Sequence, residues 1–241
     1  RIRRAFVPGD GKLLISADYS QIELVVLAHL SGDPALKQAF VEGEDVHRRT
    51  GALIFGVEPE DVSPEQRRIA KTINFGVMYG MSAFRLSREL EIPRARADEF
   101  INAYFNRYAA IARFIDETVR NTEKTGYSQT MYGRRRLIPG INSRNRTEKQ
   151  GAERIAVNTP IEGTAADMVK TAMIRIDRRI KKEELDLQML LQIHDELMFE
   201  APRDKAEELA ELIRSEMEAA VSLDVPLKVS VDIGESWGDF H

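Results

Sequence analysis

Strand-like runs sit at the two ends of this chain and helical periodicity fills the middle, an order that restricts the fold more than any other feature. Residues 13–17, LLISA, form a short apolar run leading directly into Asp18. Residues 188–193 and 197–200 read as a β-hairpin with His194-Asp195-Glu196 at or beside its turn, and 227–231 as a last strand. In between, apolar residues recur at spacings of three and four, as Phe100, Tyr104, Tyr108 and Ile111 do, which is a helix period. Strands at both ends with helices inserted predict an α+β fold, a small antiparallel sheet carrying a large helical insertion. No internal repeat, low-complexity tract or flexible linker breaks the chain.

Local signals divide the insertion. Ser20-Gln21-Ile22-Glu23 has the S-x-x-E pattern of a capping box ahead of ELVVLAHL. Gly32-Asp33-Pro34 stops that helix, a second covers roughly 34–42, and Asp45 caps a third. Ser63 followed by Pro64 starts a helix expected to end at Gly80, and Ser82 caps the next. Pro93 opens a long helical stretch to about Thr122 with a bend near Tyr108, and Gly126 ends it. The polar segment from Tyr127 reads as loop or ribbon until a helix begins near Thr147. Another helix is expected after Asn158-Thr159-Pro160, from about Thr164 to Lys182, and a last one over about 203–221. Met168, Met173 and Met189 read as core, and the acidic run at 204–218 as a solvated helix face.

With 241 residues and 43% apolar side chains, the chain can bury a core as one large domain or two small ones. Its net charge of −4 offers no bulk attraction to nucleic acid, so any such binding must come from local clusters. One cluster exists: Arg134, Arg135, Arg136, Arg144, Arg146, Lys149 and Arg154 stand against Glu148 and Glu153. Clustered cations gain affinity by releasing phosphate counterions, though a solvated loop is an equal reading. Cysteine is absent, which removes disulfides, thiolate metal sites and cysteine nucleophiles together. No run approaches the ~18 apolar residues of a membrane span and no signal peptide precedes the first strand, so a cytoplasmic protein without membrane contact is expected. The opening RIRRAF, without an initiator methionine, reads as part of something longer.

Two constellations carry chemistry. Arg67, Lys71, Phe75 and Tyr79 are spaced by four and share one helix face, two cations followed by two aromatic rings. Such a stripe can hold a polyphosphate at one end and stack a base at the other; alone, it reads more simply as a basic first turn and a packing stripe. Asp18 and Asp195 sit where strand ends present them, and converging carboxylates can hold Mg²⁺. Two such ions serve phosphoryl transfer, although each aspartate alone reads more simply as a loop or turn residue.

DYSQIEL at 18–24, RRIAKTINFGVMYG at 67–80 and HDE at 194–196 resemble, in order and spacing, the three motifs of bacterial family A DNA polymerases. GRRR at 133–136 and NTPIEGTAAD at 158–167 fit the same family, and the resemblance covers essentially the whole chain. It implies a right-hand polymerase fold, with palm at 1–33, helical fingers at 34–125 and palm again at 126–241, the thumb lying before Arg1. It implies template-directed DNA synthesis with two Mg²⁺ ions, Mn²⁺ being able to substitute, by a monomer acting on dNTPs and primer–template DNA in the bacterial cytosol. Asp18 and Asp195 would bind metal together with the Tyr19 carbonyl, and Glu196 would support them. Arg67 and Lys71 would contact the triphosphate with help from His47 and Gln21. Phe75 would lie against the incoming nucleotide, and Tyr79 would hold the template-side stacking position until the fingers close. Glu23 would be the steric gate against a ribose 2′-hydroxyl, or simply the closing residue of the capping box, or both. His194 would touch the primer terminus, Asn158 the minor groove, Arg154 the template, and Arg134 the duplex.

Two positions depart from the pattern. Val25 stands where the family usually has arginine, which removes a buried charge. Glu162 stands where the family has glutamine; a carboxylate accepts but cannot donate hydrogen bonds, and it repels phosphates.

Overall fold

Leu14, Ile15, Ser16 and Ala17 are all buried, so the first apolar run lies inside a sheet rather than at its edge. The computed structural model describes residues 2–240. Its strands are β1 (Lys12–Tyr19), β2 (Tyr127–Gln129), β3 (Arg135–Leu137), β4 (Gln188–Ile193), β5 (Glu196–Pro202) and β6 (Val229–Gly234). Four form an antiparallel sheet in the order β4-β5-β1-β6, and β2 pairs with β3 in a separate ribbon. This is the α+β architecture that the order of strand and helix signals implied. β1 runs further than the LLISA core, through Asp18 and Tyr19, because β6 continues to pair with it from Leu14↔Gly234 to Tyr19↔Val229. The same pairing moves the last strand from the expected 227–231 to 229–234.

The helices are α1 (Ile22–Ser31), α2 (Pro34–Val41), α3 (Val46–Phe55), α4 (Pro64–Met78), α5 (Ala83–Glu89), α6 (Arg94–Arg107), α7 (Ala109–Thr125), α8 (Arg146–Glu183) and α9 (Ala206–Glu218). The chain divides into two compact units, each considered by itself. The sheet unit takes the residues up to Ile22, Ala165–Leu223 and those from Leu227 onward. The helical unit takes Glu23–Thr164 and Asp224–Pro226.

In the sheet unit, alternation along β1 turns Ile15, Ala17 and Tyr19 to one face and Leu14, Ser16 and Asp18 to the other. The Tyr19 hydroxyl donates to the Met217 carbonyl (2.8 Å), seating α9 on the first face. α9 buries Leu209, Ala210, Ile213 and Met217 there and leaves Glu207, Glu208 and Glu211 in solvent. The opposite face packs Leu14 with Met198 and Phe240. Met168 is core as expected, whereas Met173 and Met189 are only half-buried.

In the helical unit, the caps expected at Asp45 and Ser63 form, and Asp33, read in the sequence only as part of a helix stop, proves to be a third. Asp33 accepts from Ala35 N–H and Leu36 N–H, Asp45 from His47 N–H and Arg48 N–H, and Ser63 closes a capping box with Gln66. The long stretch after Pro93 breaks at Tyr108, whose φ of −102° and ψ of 57° leave the helical region. The second oxygen of Asp33 accepts from Ala110 N–H (3.2 Å), so one side chain, 2% exposed, caps both α2 and α7.

The expected interruption at Asn158-Thr159-Pro160 does not occur: α8 runs unbroken for 38 residues with Pro160 inside it. A proline in a helix leaves the carbonyl four residues earlier without its N–H partner. Here that carbonyl belongs to Ala156, and the buried Ser128 hydroxyl of β2 donates to it at 2.7 Å. Met131 N–H bonds the Thr164 hydroxyl (3.0 Å), and Thr130 lies so near Gly163 that a β-carbon there would sit 2.6 Å from its methyl. The ribbon thus repairs the helix that its own position depends on. Ser128→Ala should therefore destabilise the chain by about 1–3 kcal/mol in urea unfolding, the cost of a buried unsatisfied carbonyl. Adding Pro160→Ala restores an N–H at that place and should recover most of the loss; a double variant no more stable than the single one would rule this account out.

Candidate active site

The sheet unit gathers the acidic residues. In the β1–β5 register Asp18 lies opposite Glu196, and Tyr19 N–H bonds the Asp195 carbonyl at 3.4 Å. Asp195 and His194 form the two-residue connection between β4 and β5, with His194 in the left-handed region at φ 55°. The Gln192 amide donates to the His194 carbonyl (2.8 Å) and holds that connection. Opposed residues of antiparallel strands share a face, so Glu196 stands with Asp18 and Ser16. Glu196, 6% exposed, accepts the Ser16 hydroxyl at 2.6 Å, which fixes its carboxylate. Two residues from distant parts of the sequence, Asp18 and Asp195, thus meet at one end of the sheet.

Their donor chemistry suits a hard cation. Two carboxylates and the Tyr19 carbonyl are all oxygen donors, the set Mg²⁺ takes while keeping positions for water and phosphate oxygens. Among the described residues no three His, Cys, Asp or Glu side chains form a metal cage. An open set of this kind would be completed by a ligand rather than by protein. Gln21, also in this unit, has φ 54° and a buried Oε1 that accepts no hydrogen bond.

The helical unit holds the cationic and aromatic stripe on α4. Arg67 Nε donates to Asp45 Oδ2 at 2.5 Å, while Asp45 Oδ1 caps α3. Burial pushes the Asp45 carboxyl up, but the Arg67 guanidinium and the Arg48 N–H outweigh it and hold the group below its usual range. Lys71 is exposed and Phe75 half-buried, with its ring centroid 5.7 Å from that of His47. Lys71, Phe75 and Tyr79 line a cleft of about 420 Å³ with Arg68, Arg85 and Met81. Gly80, at φ 65°, ends the helix, and a β-carbon there would lie 2.9 Å from Arg154 Cγ, so only glycine lets Arg154 pass.

His47 is 3% exposed and lies beneath the stripe. Its Nδ1 bonds the Asn74 amide (2.9 Å); Asn74 Oδ1 accepts the Thr50 hydroxyl (3.1 Å), which also meets Tyr108 OH (3.3 Å). Burial, with smaller contributions from Arg67 and Lys71, lowers the His47 pKa to about 4 against the pull of Asp45. At neutral pH it is an uncharged partner inside a buried network and adds no cation to the stripe.

Glu23 departs from the capping-box reading. α1 begins at Ile22, so Gln21 rather than Ser20 precedes it, and the Ser20 hydroxyl lies 3.2 Å from that of Ser230. Glu23 Oε2 instead accepts the Tyr79 hydroxyl at 2.5 Å. Val25 is fully buried in α1, consistent with an apolar residue at a place where a charge would need partners.

The basic residues lie on the ribbon and α8. Arg134, Arg135 and Arg136 are exposed, and Arg135 stacks over Tyr127 at 4.5 Å. Arg154 is exposed and lines a cleft of about 550 Å³ with Arg85, Arg120 and Val157. Asn158 is half-buried, with an Oδ1 that accepts no hydrogen bond. Lys149 pairs instead with Glu123 (2.7 Å). Sequence reasoning missed Asp45 as the anchor of Arg67 and the Thr50–Asn74–Tyr108 support of His47. The capping signal at Asp45 was visible, but its second partner lies on another helix.

Comparison with known proteins first gives a class: the model described as DNA polymerase family A matches residues 1–239, and the chain belongs to that family. It is 52% identical over 238 residues to DNA polymerase I of Deinococcus radiodurans, covering 99% of this chain and 25% of that protein. It is 53% identical over 241 residues to DNA polymerase I of Treponema pallidum, covering 100% of this chain and 24% of that one. Among solved structures it is similar to the POL domain of Pol1 from M. smegmatis in complex with DNA primer-template and dNTP, with TM-score 0.94 and 44% identity over 98% of this chain and 42% of that chain. The chain thus spans about a quarter of the length of these curated relatives. No helix among the described residues is long and apolar enough to cross a membrane.

The state of His47 has a consequence for stability. Unfolded, it titrates near 6.5; folded, near 4, so the unfolded chain binds the extra proton between these values. Stability from this group is present above pH 6.5 and is lost as pH falls toward 4. Urea midpoints of wild type should drop more steeply across that interval than those of His47→Gln; parallel slopes would show that His47 is not buried neutral.

Proposed function

We propose that this chain carries out template-directed DNA synthesis, nucleotidyl transfer from a dNTP to a primer 3′-hydroxyl with release of pyrophosphate. The observation that carries the reading is the β1–β5 register, which sets Asp18 against Glu196 and beside Asp195 at one end of the sheet. On this reading Asp18 and Asp195, with the Tyr19 carbonyl, hold two Mg²⁺ ions. Bound there, the ions would activate the attacking oxygen and neutralise charge on the leaving phosphate. Glu196, held by Ser16, keeps a third negative charge near them. His194 lies in the same turn and is assigned to the primer terminus, and Gln21 to the triphosphate.

The helical unit supplies recognition. Arg67 and Lys71, one turn apart, match phosphate oxygens, and Asp45 pre-orients the Arg67 guanidinium. Phe75 presents a ring to a base. Glu23 is read as the gate against a 2′-hydroxyl, with Tyr79 fixing its carboxylate. Arg134, Arg154 and Asn158 serve the primer–template. Palm at 1–33 and 126–241 and fingers at 34–125 are the corresponding parts of a right hand. In support, the similar M. smegmatis structure is a complex with primer-template and dNTP. A monomer working with primer–template DNA and dNTPs is the simplest form of the reading.

The test is divalent-dependent dNTP incorporation on a primed template. Asp18→Ala and Asp195→Ala should each lower it by about a thousandfold or more, since charge stabilisation is the main part of phosphoryl-transfer catalysis. Binding of dNTP and duplex with no incorporation by the wild-type chain would reduce the reading to a nucleotide- and DNA-binding fragment. Glu23→Ala should raise ribonucleotide incorporation; no rise would leave Glu23 only the task of holding Tyr79.

A further inference from the structure

Glu162 lies on α8 beside a pocket of about 280 Å³, with Arg134, Arg135 and Arg136 of the ribbon across from Thr159, Glu162 and Gly163 of the helix. The pocket is not adjustable in the way a surface loop is. Ser128 bonds the Ala156 carbonyl, Met131 N–H bonds the Thr164 hydroxyl, and Thr130 presses on Gly163, so the ribbon's arginines are carried at a set height over Glu162. The rim's cations would suit a phosphate, and the chain itself sets a carboxylate on the same pocket. Arg135 is stacked on Tyr127, and Arg136 is the cation whose field draws the Glu162 proton off.

We propose that Glu162 is a built-in competitor for the ribbon's arginines, an internal stand-in for a DNA phosphate that weakens duplex binding while ionised and yields when protonated. The proposal rests on the reading of the chain as a DNA-binding polymerase. A glutamine of the same size would leave the arginines to the duplex; the carboxylate occupies part of their field and repels an incoming phosphate. The charged groups facing it are Glu23 of α1 and Arg134, Arg135 and Arg136 of the ribbon. Burial and Glu23 raise the Glu162 carboxyl, and Arg136 opposes them without cancelling them. Protonation is thereby brought nearer to neutral pH than for an ordinary glutamate.

The experiment compares wild type with Glu162→Gln in primer–template binding by fluorescence anisotropy. At about pH 8 the variant should bind roughly five- to tenfold tighter, about the effect of one uncompensated charge at an interface. Lowering the pH to about 5.5 should narrow the gap, because the raised Glu162 carboxyl gains its proton earlier than an ordinary glutamate. The variant should also show a salt dependence steeper by about one phosphate contact. In an Arg136→Ala background, Glu162→Gln should have a smaller effect, because one of the cations it competes for is gone. Equal affinities at both pH values, or a difference that pH does not alter, would overturn the role given to Glu162 while leaving DNA binding intact. No duplex binding by either protein would overturn the DNA-binding reading and this proposal with it.

Discussion

Everything at the acidic end of the sheet depends on one register. Side chains on a strand alternate with a period of two, so sliding β5 by a single residue along β1 would turn Glu196 toward α9. The same slip would carry Met198 away from Leu14 and Phe240. Burial of that apolar cluster and placement of the carboxylates are therefore one constraint. The Ser16–Glu196 hydrogen bond and the Tyr19 hydroxyl on the Met217 carbonyl lock the two faces in agreement. Like-charged groups crowded at a strand end repel one another, and the apolar packing behind them holds them there.

The helical unit uses short acidic side chains as joints. Asp33 caps α2 and receives the Ala110 N–H in the first turn of α7; Asp45 caps α3 and receives Arg67 from α4. In each case one oxygen serves its own helix and the other serves a helix distant in sequence. The Thr50, Asn74, His47 and Tyr108 network does the same work in the interior, where an unpaired polar group would be costly. These joints set the spacing of the helices that carry the stripe, while Lys71 stays exposed and Phe75 half-open.

What the sequence showed best was local. The caps at Asp45, Ser63 and Ser82, the break at Tyr108 and the left-handed stop at Gly126 all follow from one turn's chemistry, and all were legible. The sheet was legible in content and in antiparallel character from its strand signals. Three features were not. Glu23 matched a capping pattern, but the left-handed Gln21 displaces the helix start and Tyr79 takes its carboxylate. Pro160 argued for a break, and only the Ser128 hydroxyl, 28 positions before the freed Ala156 carbonyl, removes that argument. The Asp45–Arg67 pair joins residues 22 apart on different helices, a relation that no local pattern encodes.

Pro160 also reaches further than its own helix. By withholding a single hydrogen atom it leaves one carbonyl lone, and the Ser128 hydroxyl is drawn to that vacancy. The hairpin bearing Arg134, Arg135 and Arg136 is thus registered against the helix by something the helix lacks. Drift of the hairpin in either direction would strand an oxygen in the dry interior, so the guanidinium groups inherit their address from an imino acid that never touches them.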